Sequence, residues 1–127
     1  MAVPHLCVKY GSRKTGSSAK EHFKYICRLQ ANGKDDLVFV HHQNYPEWGK
    51  NPVDFHQAAD TYERANARLY REIVVALPRE LSRDRQLELV TKWAESELGK
   101  SHPYTIADHS HLALDGTPND HALIMFS

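Results

Sequence analysis

Residues 102–127 read HPYTIADHSHLALDGTPNDHALIMFS, and the pairing of the two halves of this stretch decides the architecture. PYTIADHSHLAL (103–114) and HALIMFS (121–127) are strand-like runs, and DGTPND (115–120) has the composition of a tight connection. Paired as a hairpin, they make at least part of a sheet antiparallel. Residues two apart in a strand share a face, so His109 and His111 point to one side and His121 lies on the neighbouring strand. Cross-strand neighbours sit about 5 Å apart and can share an ion. Imidazoles suit Zn, Mn, Fe, Ni or Cu, whereas a hard ion such as Mg wants oxygen ligands too. The competing reading makes these the polar face of an edge hairpin, and the residues alone leave both open. Asp108 and Asp120 alternate to the opposite face and are poorer ligand candidates.

Working outward, VPHLCVKY (3–10) alternates well enough to be a first strand ended by Gly11, and GSRKTGSS (11–18) is a basic loop. Ser18 with Glu21 forms a capping-box pattern, and Ala19, Phe23, Ile26 and Leu29 or Cys27 recur at helical spacing, predicting a helix from about Ala19 to Leu29. LVFVHH (37–42) reads as a strand after the turn-like ANGKDD (31–36), and NYPEWGKNP (44–52) as a loop. Asn51 and Pro52 suit a helix N-cap and first position. Phe55, Ala58, Ala59, Tyr62, Ala65 and Leu69 then extend one apolar face, predicting a helix through about Tyr70. EIVVALP (72–78) suits an interior strand. Ser82 caps a helix carrying Leu87, Val90, Ala94 and Leu98 and ended by Gly99. The order strand, helix, strand, helix, strand, helix, strand, strand argues for an α/β (α+β) sandwich.

Composition adds bounds. The 127 residues suffice for one domain with its own core, and 16 basic against 16 acidic residues give no global pull toward DNA. No apolar run spans a bilayer and no signal-peptide core opens the chain, so a cytoplasmic protein with no membrane partner is expected. The 2 cysteines, Cys7 and Cys27, are expected to be reduced thiols.

The segments HLCVKYGSRKTGSSAKEHFKYI, AADTYERANARLYREIVVALPRELS and HPYTIADH with NDHALIMFS resemble, in order and over nearly the whole chain, the MobA/MobL-type conjugative relaxases, HUH endonucleases of plasmid mobilisation. That resemblance implies a central, largely antiparallel sheet flanked by helices. It also implies site- and strand-specific nicking of single-stranded or hairpin DNA at a transfer origin through a 5′-phosphotyrosine, with accessory relaxosome proteins as further candidate partners. The family nucleophile falls at Tyr25, and its metal histidines fall at His109 and in a His-apolar-His triplet matching His121 and Leu123. Mn or Mg is the expected divalent metal, with Zn and Ni as alternatives. Glu72 stands where the family carries an acid, suited to orient a histidine or accept a proton. Lys9, Arg13, Lys14, Lys20, Lys24 and Arg28 crowd the nucleophile and are candidates to hold the phosphate backbone.

Leucine ligates no metal, so Leu123 leaves His109 and His121 short of the three protein ligands usual in catalytic sites, with His111 the candidate third. The resemblance implies a domain that continues further, so residues 1–127 are expected to be a single relaxase-like domain, either a fragment of a longer chain or a naturally shortened homologue. The rival reading is a catalytically impaired module that binds DNA or a protein partner for regulation. Its single-strand affinity would rest on the basic loop and on exposed aromatics such as Tyr45 and Trp48.

Overall fold

The computed structural model describes residues 6–12, 16–28, 37–62, 68–77, 80–112 and 118–127, and of residues 6, 111, 112, 118 and 119 the backbone alone. Strands β1 (Leu6–Ser12), β2 (Leu37–Gln43), β3 (Arg68–Ala76), β4 (Tyr104–Leu112) and β5 (Pro118–Phe126) alternate with helices α1 (Ala19–Ile26), α2 (Pro52–Tyr62) and α3 (Arg83–Leu98). The five strands form one sheet in the order β1-β3-β5-β4-β2, and all four pairings are antiparallel. The expected sandwich with an antiparallel hairpin is therefore what forms.

The hairpin is not an edge. β5 lies between β3 and β4, and β4 between β5 and β2, so the histidine-bearing strands occupy the middle of the sheet. One face carries Ile73, Val75, Ile106, Ala122 and Ile124 against Val90, Ala94 and Leu98 of α3. The other carries Ala107 and Met125, with Tyr70, against Ala19, Phe23 and Ile26 of α1. The alternation of β4 and β5 thus fills two separate cores, which is why these strands tolerate so few exposed positions.

The second helix stops at Tyr62, and Leu69 and Tyr70 belong to β3, so the helix expected through about Tyr70 is corrected. Leu69 kept helical spacing by coincidence. Its backbone is claimed by the sheet, where Tyr70 pairs with Gly11 and Arg68 with Ser12 across a register shift; pairing with β1 outweighs a weak local preference. Gly11 is required there, because a Cβ at that position would collide with the Tyr70 ring. α1 ends at Ile26 with Cys27 as its C-cap, and NYPEWGKNP contains a single 3-10 turn at Glu47–Gly49. Cys7 and Cys27 are free thiols, and burial pushes Cys27 up to about 12. Among the described residues no helix is long and apolar enough to cross a membrane.

Candidate functional site

α1 is held over the sheet by polar contacts at both ends. At its start Ser18 Oγ accepts from the Glu21 N–H at 3.2 Å, as the capping pattern predicts. The second cap comes from a residue about 40 positions along the chain. Asp60 of α2 accepts from the Ala19 N–H at 2.7 Å, the Lys20 N–H at 3.1 Å and the Ser18 hydroxyl at 2.8 Å. A carboxylate at a helix N-terminus meets both the orphan N–H groups and the positive end of the dipole. Asp60→Ala is expected to cost about 1.5–3 kcal/mol, the range for bonds to a charged group, read as a lowered urea midpoint with an unchanged slope.

At its other end the Ile26 carbonyl accepts a hydrogen bond from His109 Nε2 at 2.7 Å. His109 is 4% exposed and lies directly opposite His121 in the β4/β5 register. The structure therefore brings both imidazoles to adjacent strands on the face that α1 covers. The residue after Tyr25 is tied to the histidine strand by this bond.

Tyr25 itself is 62% exposed, with the Arg28 guanidinium 5.0 Å from its ring centroid. One turn earlier stands His22, which sequence reasoning passed over. Its Nε2 is hydrogen-bonded to the buried carboxyl of Glu72. Its ring stacks on Tyr70 at 4.6 Å and 8° and lies 6.4 Å from the Tyr25 ring. Burial, then the Glu72 charge, pushes the Tyr70 phenol upward. Part of the signal for His22 was available, since residues 22 and 25 share a helix face, but its pairing with Glu72 was not.

Leu123 pairs with Ala107 and Val74 and packs into the apolar cluster beneath α1. The described donor set for a metal is thus His109 and His121. Among the described residues no three His, Cys, Asp or Glu side chains gather to hold an ion. The His109 ring fits a ligand's usual setting, with one nitrogen donating to a backbone carbonyl, but two imidazoles need a further donor. The His111 side chain lies outside the described residues. Asp108 and Asp120 sit on the α3 face, away from the histidines, as alternation requires.

Of the basic candidates, Lys9 is exposed on β1 and Lys20, Lys24 and Arg28 are half-buried along α1, while Arg13 and Lys14 lie outside the described residues. Trp48 is 68% exposed and stacks on Phe55. Tyr45 is not an exposed platform, which corrects its sequence reading. Its hydroxyl bonds Thr105 Oγ1 at 2.7 Å and His56 Nε2 at 3.1 Å, because the chain after β2 folds back over β4 and α2. Burial lowers His56 to about 4 and lowers His42, whose Nδ1 meets Thr105 Oγ1 at 2.8 Å.

Beside this geometry stand the comparisons with known proteins. The chain is 45% identical over 132 aligned positions to a 43 kDa relaxation protein of Salmonella typhimurium, and 39% identical over 130 to Mobilization protein A of Escherichia coli. Both alignments take in all of this chain, which spans 35% of the first relative's length and 18% of the second's. A structure described as the molecular basis of vancomycin resistance transfer in Staphylococcus aureus shares the fold. Its TM-score is 0.72 at 19% identity, over 99% of this chain and 70% of that one. The model of the MobA/MobL family matches residues 14–127, and the chain belongs to the MobA/MobL family.

Proposed function

We propose that the chain is a relaxase domain of plasmid mobilisation, which nicks one DNA strand at a transfer origin through Tyr25. The observation that carries this reading is the tie between the exposed Tyr25 turn and the histidine strand, the Ile26 carbonyl held by His109 opposite His121. The tie holds the turn that carries Tyr25 against the strand that carries His109, a residue suited to a divalent ion, at a helix that carries Lys20 and Lys24 and is followed by Arg28. In the reaction, the Tyr25 oxygen bonds to the scissile phosphorus and the bond to the 3′ oxygen breaks. The protein remains joined to the 5′-phosphate and releases a 3′-hydroxyl. Such a transesterification keeps the energy of the phosphodiester, so the strand can be rejoined. Lys20, Lys24 and Arg28, with Lys9 across the sheet, would hold the flanking phosphates, as would Arg13 and Lys14 in the basic loop. Mn or Mg bound by His109 and His121, with His111 or another donor as third ligand, would polarise the scissile phosphate.

Leu123 favours the second reading, a module that binds single-stranded or hairpin DNA without cutting it, because an apolar side chain fills the family's third ligand position. The test incubates the protein, with Mn or Mg, with labelled single-stranded oligonucleotides tiled through the DNA flanking its own reading frame. A denaturant-resistant protein–DNA adduct whose peptide map ends at Tyr25 supports nicking. Retention of oligonucleotide without any adduct overturns nicking in favour of the binding module. Leu123→His is then the decisive variant: it is expected to raise adduct yield by about tenfold or more if the ligand position limits activity.

A further inference from the structure

Tyr25 needs something to take its proton. A phenol of ordinary pKa about 10 is almost entirely un-ionised at neutral pH, and a nucleophile of that kind is activated by an adjacent base. Glu72 cannot be that base directly. It is 4% exposed and its carboxyl is engaged by His22 Nε2, whereas Tyr25 is 62% exposed.

We propose that His22 is the proton acceptor for the Tyr25 hydroxyl, with Glu72 holding the imidazole in the required tautomer. The inference rests on the nicking reading above and adds to it a residue that nothing else assigns. Three observations carry it. A carboxylate that accepts from Nε2–H leaves the lone pair on Nδ1, the nitrogen that has no hydrogen-bond partner among the described residues. The ring plane is fixed by the parallel stack on Tyr70. The Tyr25 ring centroid is 6.4 Å away on the same helix face, a gap that one bridging water or a side-chain rotation closes, as catalytic hydrogen bonds often tighten only when substrate binds. Buried carboxylate, oriented imidazole and exposed hydroxyl repeat the logic of an acid-His-nucleophile triad with a phenol in place of serine.

The charged surroundings are compatible. From α1 the imidazole faces Tyr25, from β3 Glu72 and Tyr70, and from α2 His56 and Asp60, with Lys9 of β1 opposite Glu72 in the register. Burial keeps His56 neutral above about pH 4, so it does not repel a protonated His22 near neutral pH, and the Lys9 side chain is exposed to solvent. In the step itself the proton passes from Tyr25 Oη to His22 Nδ1, and the phenolate oxygen forms its bond to phosphorus. The 3′ oxygen leaves with its bonding pair and takes a proton from solvent. His22 then releases its own proton to solvent, which closes the balance.

The test has two arms, both on the intact chain. In the first, the protein is labelled with 13Cζ-tyrosine and the Tyr25 signal is assigned by its loss in Tyr25→Phe. That signal is expected to show an inflection as His22 titrates, absent in His22→Gln. A Tyr25 signal indifferent to His22 overturns the relay whatever the nicking assay gives. In the second arm, His22→Gln is expected to slow adduct formation by about 10²–10³-fold near neutral pH, the range for a lost general base. Its rate should recover at alkaline pH, as hydroxide takes over the role of the base, and added imidazole should partly rescue His22→Ala. Glu72→Gln, which keeps an acceptor oxygen, should lose less and shift the acidic limb of the pH profile downward. A His22→Gln protein that nicks within about threefold of wild type at every pH, well below the loss expected of a base, overturns the relay and leaves the nicking reading standing. Absence of adduct from wild type removes the nicking reading, and the Tyr25 titration alone then decides whether the two side chains share a proton.

Discussion

Tyr25→Phe is expected to abolish covalent capture of DNA, a loss of about 10⁴-fold or more, since phenylalanine has no oxygen to bond to phosphorus. The same substitution should leave stability within about 0.5 kcal/mol of wild type. Tyr25 is 62% exposed and its hydroxyl makes no hydrogen bond among the described residues, so the fold loses nothing with it. The ring and its contact with the Arg28 guanidinium both survive in phenylalanine. Exposure alone does not single Tyr25 out, because Tyr10 and Tyr62 are 57% and 85% exposed. What separates them is surroundings. Tyr10 lies on β1 beneath the Arg68 guanidinium and Tyr62 ends α2, whereas Tyr25 has the His22–Glu72 pair behind it and the His109-bound carbonyl beside it. Adduct assays on Tyr10→Phe, Tyr25→Phe and Tyr62→Phe read this directly. Adduct persisting in Tyr25→Phe and vanishing in Tyr62→Phe would move the active site to the end of α2.

The parts of this arrangement that local chemistry writes were legible before folding was considered. Ser18 caps α1 because its hydroxyl reaches three residues along, and β4 and β5 declare themselves through alternation around a turn. Their place in the middle of the sheet was not legible, because strand order follows from which faces must be covered and not from any one strand's pattern. The overrun of the second helix has the same cause. Leu69 fits both periods, and only the partner strand chooses. The site divides likewise. His109, His121 and Tyr25 were marked by motif, but His22 and Asp60 act on partners 50 and about 40 residues away, distances over which sequence spacing says nothing. Asp108 was set aside as pointing away from the histidines, correctly, yet its burial carries a large electrostatic load.

That load predicts a stability that falls as pH rises. Asp108 is fully buried on the α3 side of the sheet, and neither carboxyl oxygen has a hydrogen-bond partner among the described residues. Burial, reinforced by the neighbouring Asp120 charge and only partly relieved by Arg83, pushes it from 3.8 up to about 7. Arg83 is committed elsewhere, 3.8 Å from Asp120 Oδ2 and 3.3 Å from Ser110 Oγ. The folded chain keeps the Asp108 proton up to about pH 7 while the unfolded chain releases it near 3.8, so folding is favoured below the lower value and loses that advantage as pH climbs to the upper one. A rise of roughly three pKa units corresponds to at most about 4 kcal/mol. His56 works in the opposite sense, since its value falls from 6.5 to about 4 and stability is lost as pH drops through that window. Wild type alone would therefore show a blurred profile, and the informative quantity is the difference from Asp108→Asn, in which His56 cancels. Urea unfolding at pH 5 and pH 8 should find the variant more stable than wild type by about 1.5 kcal/mol at the lower pH and by about 4 kcal/mol at the higher. A gap that does not change with pH would mean that Asp108 is ionised and solvated in the folded protein. The face beneath α3 would then be open to water, and the sheet could not be packed on both sides as described.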